Sequence, residues 1–439
     1  MSLSLTTQLE LKPGTQIVAF DSSTRGKNYR VELRDGRHFQ VNEKLQHLLE
    51  ALRTPLTVSA LAAAFQQRTG QSVALEQLHQ LTAQLMEQGM VIEAGTEAQG
   101  TNHADEAAKS PTSYLGLHYR RDLLSPAMIA PLARLLQVCF KRGVAAVLLL
   151  LIVGAHVLAY REMGYPPNLD MEAITWPVLY GLFLVSVLLH ELGHLAACHR
   201  WNCPHGPLGV GLYFFYPVFY VDVTAAWRLN RHQRAVVDVG GIYLQLLLAP
   251  LALLLFWATN DPTYLMLIVV MDLVILGNLE PFIKLDGYWL LSDLTGVPNL
   301  HTRTGEAAKQ LWAWVLWRLG RRTAAPAASG FSQWSGWVRV VIFGYIGLSL
   351  VLWPIIIVAM VPMLIDAVMT YPALWQAAIV GLVEAVGQGD VGAIFGQLNT
   401  LFMPTLTLLM PIFLLKITWN RMRKNRKAKS SQPLQLQPA

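Results

Sequence analysis

Apolar runs, each long enough to cross a lipid bilayer as a helix, dominate the sequence from residue 144 onward. A membrane-spanning helix needs about 20 consecutive apolar residues. Only 14% of the 439 residues are charged, whereas soluble domains are about 25% charged. The sequence therefore predicts a polytopic α-helical membrane protein with about six transmembrane helices, centred on residues 144–160, 174–197, 235–258, 263–280, 338–362 and 397–416.

The basic residues between these runs predict the orientation of the chain. Lys and Arg residues lie at alternate ends of the runs, near residues 141–142, 200–234, 303–322 and 421–427, and none occurs between 361 and 410. Cytoplasmic loops carry the excess of Lys and Arg, so we expect both termini in the cytosol of a bacterium and the spans in its inner (cytoplasmic) membrane. Positive-inside anchoring also explains the basic tail and the net charge of +6, so we expect no nucleic-acid partner.

The first 95 residues predict a small soluble unit. Alternating apolar residues on both sides of Asp35-Gly36 indicate a β-hairpin, and Asn42 is a suitable N-cap for the helix that follows. Two more helical segments end at Gly70 and Gly89, and a short strand follows, so the unit is a winged-helix-like α+β cytosolic domain. The predicted organisation is a recognition domain (1–95), a polar linker (96–113), an interfacial segment (114–143), a transmembrane domain (144–420) and a basic cytosolic tail (421–439).

One apolar run ends in ionisable residues. The segment LLHELGHLAACHR, residues 188–200, contains His190, Glu191 and His194. Residues four apart share a helix face, so both imidazoles can reach one metal ion, while Glu191 can reach a bound water. An isolated HExxH in a soluble protein is often a chance match. In a bilayer a charge at a helix centre costs about 2.5–3.5 kcal/mol, so such residues are functional by default.

A catalytic zinc site needs a third protein ligand and an open fourth position for water. Asp286, in NLEPFIKLDGYWLLSDL, lies just past the cytosolic end of the fourth run. His190 and His194 lie in the last third of the second run, which the basic residues orient from outside to inside. These segments are therefore predicted to meet at the cytosolic side of the membrane.

The pair of motifs HELGH and NLEPFIKLDGY resembles the site-2 protease family of intramembrane zinc metalloproteases, which carry HExxH and NxxPxxxLDG on two membrane helices. The resemblance implies zinc held by His190, His194 and Asp286, with Glu191 as the general base.

The second motif of that family also implies residues that position substrate. Asn278, Pro281 and Gly287 match its Asn, Pro and final Gly, and Glu280 is an extra acid to which the resemblance gives no role. The segment GPLGVGLYFFYPVFYVDVTAAWRL resembles the membrane-associated β-hairpin of the peptide-processing branch of the family.

The N-terminal unit resembles PqqD-like domains, which recognise the leader peptides of ribosomally made, modified peptides. Its hairpin edge and the adjacent helix can take an extended peptide by strand addition. A DNA-binding winged helix has a similar outline, but LEQLHQLTAQLMEQG contains no Lys or Arg, which disfavours a helix facing phosphates. A purely structural cap on the membrane domain is the other alternative.

These features together predict a zinc metalloendopeptidase that cuts peptide bonds near the cytosolic face and matures a peptide recruited through its leader. The alternatives are regulated proteolysis of a membrane-anchored signalling protein and a non-catalytic peptide-binding or export partner; an export partner is also a candidate partner of the enzyme. A membrane di-iron oxygenase would need further His pairs, which the sequence lacks.

Other ionisable and thiol groups are weaker candidates for function. Asp272 has a helix-packing or a functional role. The spacing of four residues near the end of the second run suits a second metal site, although buried structural residues explain it better: Cys198, His199, Cys203 and His205.

Overall fold

A computed structural model describes most of the chain. It is mostly helical, with small β-sheets in its first half. The described residues are 7–20, 27–95, 117–164, 168–213, 216–279, 285–297, 300–321, 334–398, 400, 401 and 405.

The N-terminal unit contains two three-stranded antiparallel sheets and three helices. One sheet has the order β5-β1-β6 and the other the order β2-β3-β4. The strands are β1 (Gln8–Leu11), β2 (Gln16–Phe20), β3 (Asn28–Glu32), β4 (His38–Asn42), β5 (Leu56–Thr57) and β6 (Val91–Glu93), and the helices are α1 (Glu43–Ala51), α2 (Val58–Thr69) and α3 (Leu75–Glu87).

The local signals that the sequence carries explain these elements. The Asn42 side chain accepts a hydrogen bond from the backbone N–H of Leu45 at 2.9 Å and so caps α1. Gly70 ends α2 with a φ of 70°, a left-handed conformation that glycine adopts without steric cost. The predicted hairpin, three helices and closing strand are confirmed as elements, whereas β1 and β2 were not predicted.

The remainder of the described chain is built mainly of long apolar helices. Nine helices follow in the described ranges after residue 117: α4 (Pro126–Leu136), α5 (Arg142–Met163), α6 (Trp176–Arg200), α7 (Arg231–Leu246), α8 (Leu248–Thr259), α9 (Thr263–Asn278), α10 (Asp286–Thr295), α11 (Leu300–Arg318) and α12 (Gly336–Gln388).

Four helical segments in the described ranges are long and apolar enough to cross a membrane. They are α5, α6, the pair α7–α8, and Val368–Gln388 within α12. Large apolar side chains of α5 face outward: Leu150 is 74% exposed and Val157 is 64% exposed. A surface of this kind suits contact with lipid chains, so the fold is compatible with a membrane protein.

The prediction of about six spans is met only in part. Helix α9 has 16 residues, which makes it shorter than a full span. Helix α12 does not end near residue 362 but continues to Gln388 through three prolines, which membrane helices tolerate better than helices in water. Most of the predicted span at 397–416 lies outside the described residues.

The third predicted span is broken near its middle. Helix α7 ends at Leu246, and α8 begins at Leu248. Pro250 has no backbone N–H to donate to the carbonyl of Leu246, and its ring crowds that carbonyl. The proline therefore accounts for the break, which the hydropathy of the segment conceals.

A third sheet lies beside the long helices. Strands β8 (Leu208–Tyr213) and β9 (Tyr216–Val221) form the predicted hairpin, with Leu208 opposite Val221. Strand β7 (Leu117–Leu124) pairs with the other edge of β8. The predicted interfacial segment, 114–143, thus supplies a strand as well as α4, and the outer edge of β9 has no strand partner among the described residues.

Candidate metal centre

Three predicted metal ligands lie together at one point between α6 and α10. The Nε2 atoms of His190 and His194 are 3.2 Å apart. Asp286 places Oδ2 2.8 Å from the Nε2 atom of His190 and Oδ1 3.6 Å from that of His194. Both histidines are only 7% exposed. The structure thus brings two parts of the chain, almost 100 residues apart, to one buried cluster.

Close packing of α6 on α7 creates this arrangement. A Cβ atom on Gly193 would lie 2.2 Å from the backbone oxygen of Gly240, so only glycine allows the two helices to approach this closely. Gly287 has a similar role at the start of α10, where a Cβ atom would lie 2.2 Å from the backbone oxygen of Leu279. Gly287 therefore serves a close backbone approach beside Asp286.

Hydrogen bonds to the other ring nitrogens orient both imidazoles. The Nδ1 atom of His190 lies 3.0 Å from Oε1 of Gln245, and the Nδ1 atom of His194 lies 2.7 Å from the backbone oxygen of Val237. Since a carbonyl oxygen only accepts, each Nδ1 atom carries the proton and donates it. The lone pair on each Nε2 atom then points at the cluster. In metal-binding histidines, a hydrogen bond from the other ring nitrogen fixes the tautomer and the orientation of the ring in the same way.

The donor set fits zinc. Tetrahedral zinc with ligand distances of about 2.0–2.2 Å separates neighbouring ligand atoms by about 3.3 Å. The two Nε2 atoms, 3.2 Å apart, match this value, and each lies 2.8 Å or 3.6 Å from one of the two Asp286 oxygens. Gly241 lines the same point, because a Cβ atom there would lie 2.5 Å and 2.7 Å from the two Nε2 atoms. In the described part of the chain, no other cluster of three or more His, Cys, Asp or Glu residues has a geometry able to hold a metal ion.

Asn278 and Glu191 complete the surroundings of the cluster. The Nδ2 atom of Asn278 donates to Oδ2 of Asp286 at 2.7 Å and lies 3.4 Å from Nε2 of His190. The carboxyl group of Glu191 lies close to the backbone of Val221, in β9. The edge strand β9 therefore passes directly beside the predicted general base.

Two predicted positions cannot be compared with the structure. Pro281 and Glu280 lie outside the described residues. The substrate-positioning role of Pro281 therefore remains a prediction, and Glu280 still has no assigned role.

The secondary candidates have structural surroundings. Asp272 joins α9 to α5, because it accepts a hydrogen bond from the Tyr160 hydroxyl at 2.8 Å and lies 3.2 Å from Nε2 of His156. Cys198 and Cys203 are buried, and they form no metal-binding group with His199 or His205. The helix-packing reading of Asp272 and the structural reading of the cysteines fit these contacts.

The sequence interpretation missed the residues that support the ligands from α7. These are Val237, Gly241 and Gln245. A signal was present, since an aspartate (Asp238), a Gly-Gly pair and a glutamine interrupt the apolar run. A polar side chain inside a membrane helix usually faces a functional site or a partner helix.

Comparison with known proteins finds a partial similarity to one curated protein. The chain is 27% identical over 118 residues to the "Putative peptide zinc metalloprotease protein YydH" of Bacillus subtilis (strain 168). The matched region covers 26% of this chain and 47% of that protein, so the chain spans about half the length of the relative it matches. No family model and no solved structure matches the chain.

Proposed function

We propose that the chain is an intramembrane zinc metalloprotease of the site-2 protease type, which hydrolyses peptide bonds near the cytosolic face of the bacterial inner membrane. The observation that carries the proposal is the convergence of His190, His194 and Asp286 on one buried point. When bound there, zinc supplies an activated water and polarises the scissile carbonyl.

The chain's own residues divide the remaining work. Glu191 follows His190 directly on α6 and takes a proton from the attacking water, then delivers it to the leaving amine. Asn278 holds the Asp286 carboxylate through its 2.7 Å hydrogen bond, and its amide is also placed to position substrate. Gln245 and the backbone carbonyl of Val237 keep both imidazoles in the ligating tautomer.

Substrate must be extended to be cut, because a helix shields its own carbonyl groups. The outer edge of β9, which pairs with no strand in the described part of the chain, offers backbone groups to which an extended peptide can add as a strand. The proximity of the Val221 backbone to the Glu191 carboxyl group supports a position of the peptide next to the proposed catalytic groups. We infer that peptide pairs with β9 during cleavage.

The N-terminal unit is proposed to recruit the peptide through its leader. Its β2-β3-β4 sheet and adjacent α1 offer an edge and a helix, the pattern that strand addition uses. Maturation of a ribosomally made peptide is therefore the first candidate function, and regulated cleavage of a membrane-anchored signalling protein is the alternative.

Co-expression with a small peptide encoded beside the gene tests this function. We expect intact-mass spectrometry to show cleavage at one peptide bond in cells that carry the wild-type chain and none in cells without it. A peptide with the same composition but a scrambled leader is the matched control, and we expect at least about tenfold less product from it, as recruitment by a leader requires. Equal cleavage of both peptides would contradict leader recruitment, and no cleavage of either would contradict peptide maturation.

A further inference from the structure

The N-terminal unit contacts the membrane helices through a defined interface. Strands β2 and β3 face the 3-10 turn Thr224–Arg228, which precedes α7. The rings of Phe20 and Trp227 stack with centroids 5.7 Å apart. The Nη1 atom of Arg30 donates to the backbone oxygen of Trp227 at 2.7 Å, and Arg228 pairs with Glu32. The interface thus combines a ring stack, a hydrogen bond and an ion pair between residues about 200 positions apart in the sequence.

An ion pair forms across this interface. The Glu32 carboxylate lies between the guanidinium groups of Arg30 and Arg228. Burial lowers the pKa of the neighbouring His38, so this imidazole is uncharged near neutral pH. The interface therefore pairs one carboxylate with two cations and needs no proton to form.

Arg234 extends the interface into the membrane domain. Its side chain is almost fully buried, at 4% exposed. Its guanidinium carbon lies 4.5 Å from the centre of the Phe20 ring, which is a cation–π distance. Its Nε atom donates to Oδ1 of Asp293 at 2.7 Å, and its Nη1 atom donates to the backbone oxygen of Leu229. One side chain thus contacts the N-terminal unit and α10 at once.

Asp293 and Asp286 belong to the same short helix. Seven residues separate them, which is about two turns, so they lie on the same side of α10. The ion pair of Asp293 with Arg234 therefore restrains both the rotation and the height of the helix whose first residue is the predicted metal ligand. Misplacement of a ligand by about 1 Å is enough to weaken a metal site.

We propose that Arg234 is a positioning residue that couples docking of the N-terminal unit, through Phe20, to the placement of Asp286 in the metal centre. This inference rests on the proposed function. It goes beyond recruitment, because it makes the N-terminal unit part of the support of the metal centre even when no peptide is bound.

Zinc affinity of the full-length chain in detergent tests the coupling without any substrate. Competition with a chelator of known affinity would be measured for wild type, Phe20→Leu, Phe20→Tyr and Arg234→Gln. We expect Phe20→Leu to weaken zinc binding about 3- to 10-fold, since the cation–π contact is lost. Phe20→Tyr keeps an aromatic ring and is expected to bind zinc as tightly as wild type. Arg234→Gln leaves Asp293 buried without its cation, so we expect a loss of at least about 100-fold.

The double variant Phe20→Leu/Arg234→Gln separates coupling from general loss of stability. If Phe20 acts through Arg234, the double variant binds zinc no more weakly than Arg234→Gln alone. Leu75→Ala, at an exposed site of the same unit (49% exposed), is the control, with unchanged affinity. Unchanged affinity in Phe20→Leu, or additive losses in the double variant, would overturn the coupling. A wild-type chain that binds no zinc would overturn the metal centre itself, and the coupling with it.

Discussion

Replacing Glu191 with Gln is expected to reduce peptide cleavage by about 10²- to 10⁴-fold, the usual contribution of a general acid–base group. Glutamine has nearly the same shape as glutamate but cannot accept the proton of the attacking water. The metal ligands flank this residue without including it, so zinc content is expected to remain at the wild-type level. The measurement is the rate of product formation from a peptide substrate, with the metal content determined on the same sample.

The same substitution elsewhere provides the control. Glu162 lies near the end of α5 and accepts a hydrogen bond from Trp257 on the protein surface. Glu162→Gln is expected to leave cleavage unchanged. If Glu191→Gln cleaves the peptide at a rate within about threefold of wild type, Glu191 is not the general base, because that loss is far smaller than a general base contributes.

A single methyl group at Gly241 is expected to weaken zinc binding strongly. The Cβ atom of alanine would lie 2.5 Å from Nε2 of His194 and 2.7 Å from Nε2 of His190, well inside van der Waals contact. Neither imidazole can turn away freely, because Gln245 and the carbonyl of Val237 hold the opposite ring nitrogens. We expect Gly241→Ala to weaken zinc binding by at least about 100-fold, the upper range for disturbed support of metal ligands.

Gly181→Ala is the matched control for this substitution. Gly181 also lies in an apolar helix, α6, but a Cβ atom there would have no neighbour within 4 Å. We expect this variant to bind zinc like wild type, and both variants to elute as monodisperse protein. Tight zinc binding by Gly241→Ala would mean that α7 does not line the centre in the way the structure shows.

The candidate ligands could be predicted from the sequence because the two histidines follow a local spacing and the aspartate follows from the membrane topology. The spacing of His190 and His194 places both on one helix face, whatever that helix packs against. The prediction that Asp286 lies near these histidines required only the direction in which two apolar runs cross the membrane. The agreement between this topology and the observed cluster is informative, because the orientation came from Lys and Arg residues that lie outside it.

The support of the centre could not be predicted in the same way. In a soluble helix, apolar periodicity marks the face that packs inward, but in a membrane segment apolar side chains also face lipid, so they do not mark the packed face of a helix such as α7. The sequence therefore did not show which residues of α7 face the histidines, and Gln245 was missed. Likewise, β7 pairs with β8 across about 90 residues, a non-local contact that no local pattern contains.

The predicted count of six spans is not confirmed, for a physical reason of the same kind. Hydropathy measures how apolar a run is, and it does not report whether the helix is straight, short or continued. Helix α9 stops at Asn278, the third run breaks before Pro250, and α12 continues beyond residue 362. The mostly helical, apolar character of the chain was predictable from composition, whereas the lengths of the helices depend on prolines and on tertiary packing.

Metal analysis of the purified full-length chain tests the central claim most directly. Detergent-solubilised wild type and His190→Ala would be compared by elemental mass spectrometry after gel filtration. The account predicts about one zinc per wild-type chain and almost none in the variant, because three protein ligands are needed to hold the ion. Wild-type protein that carries iron instead of zinc, or a His190→Ala variant that keeps its zinc, would contradict it.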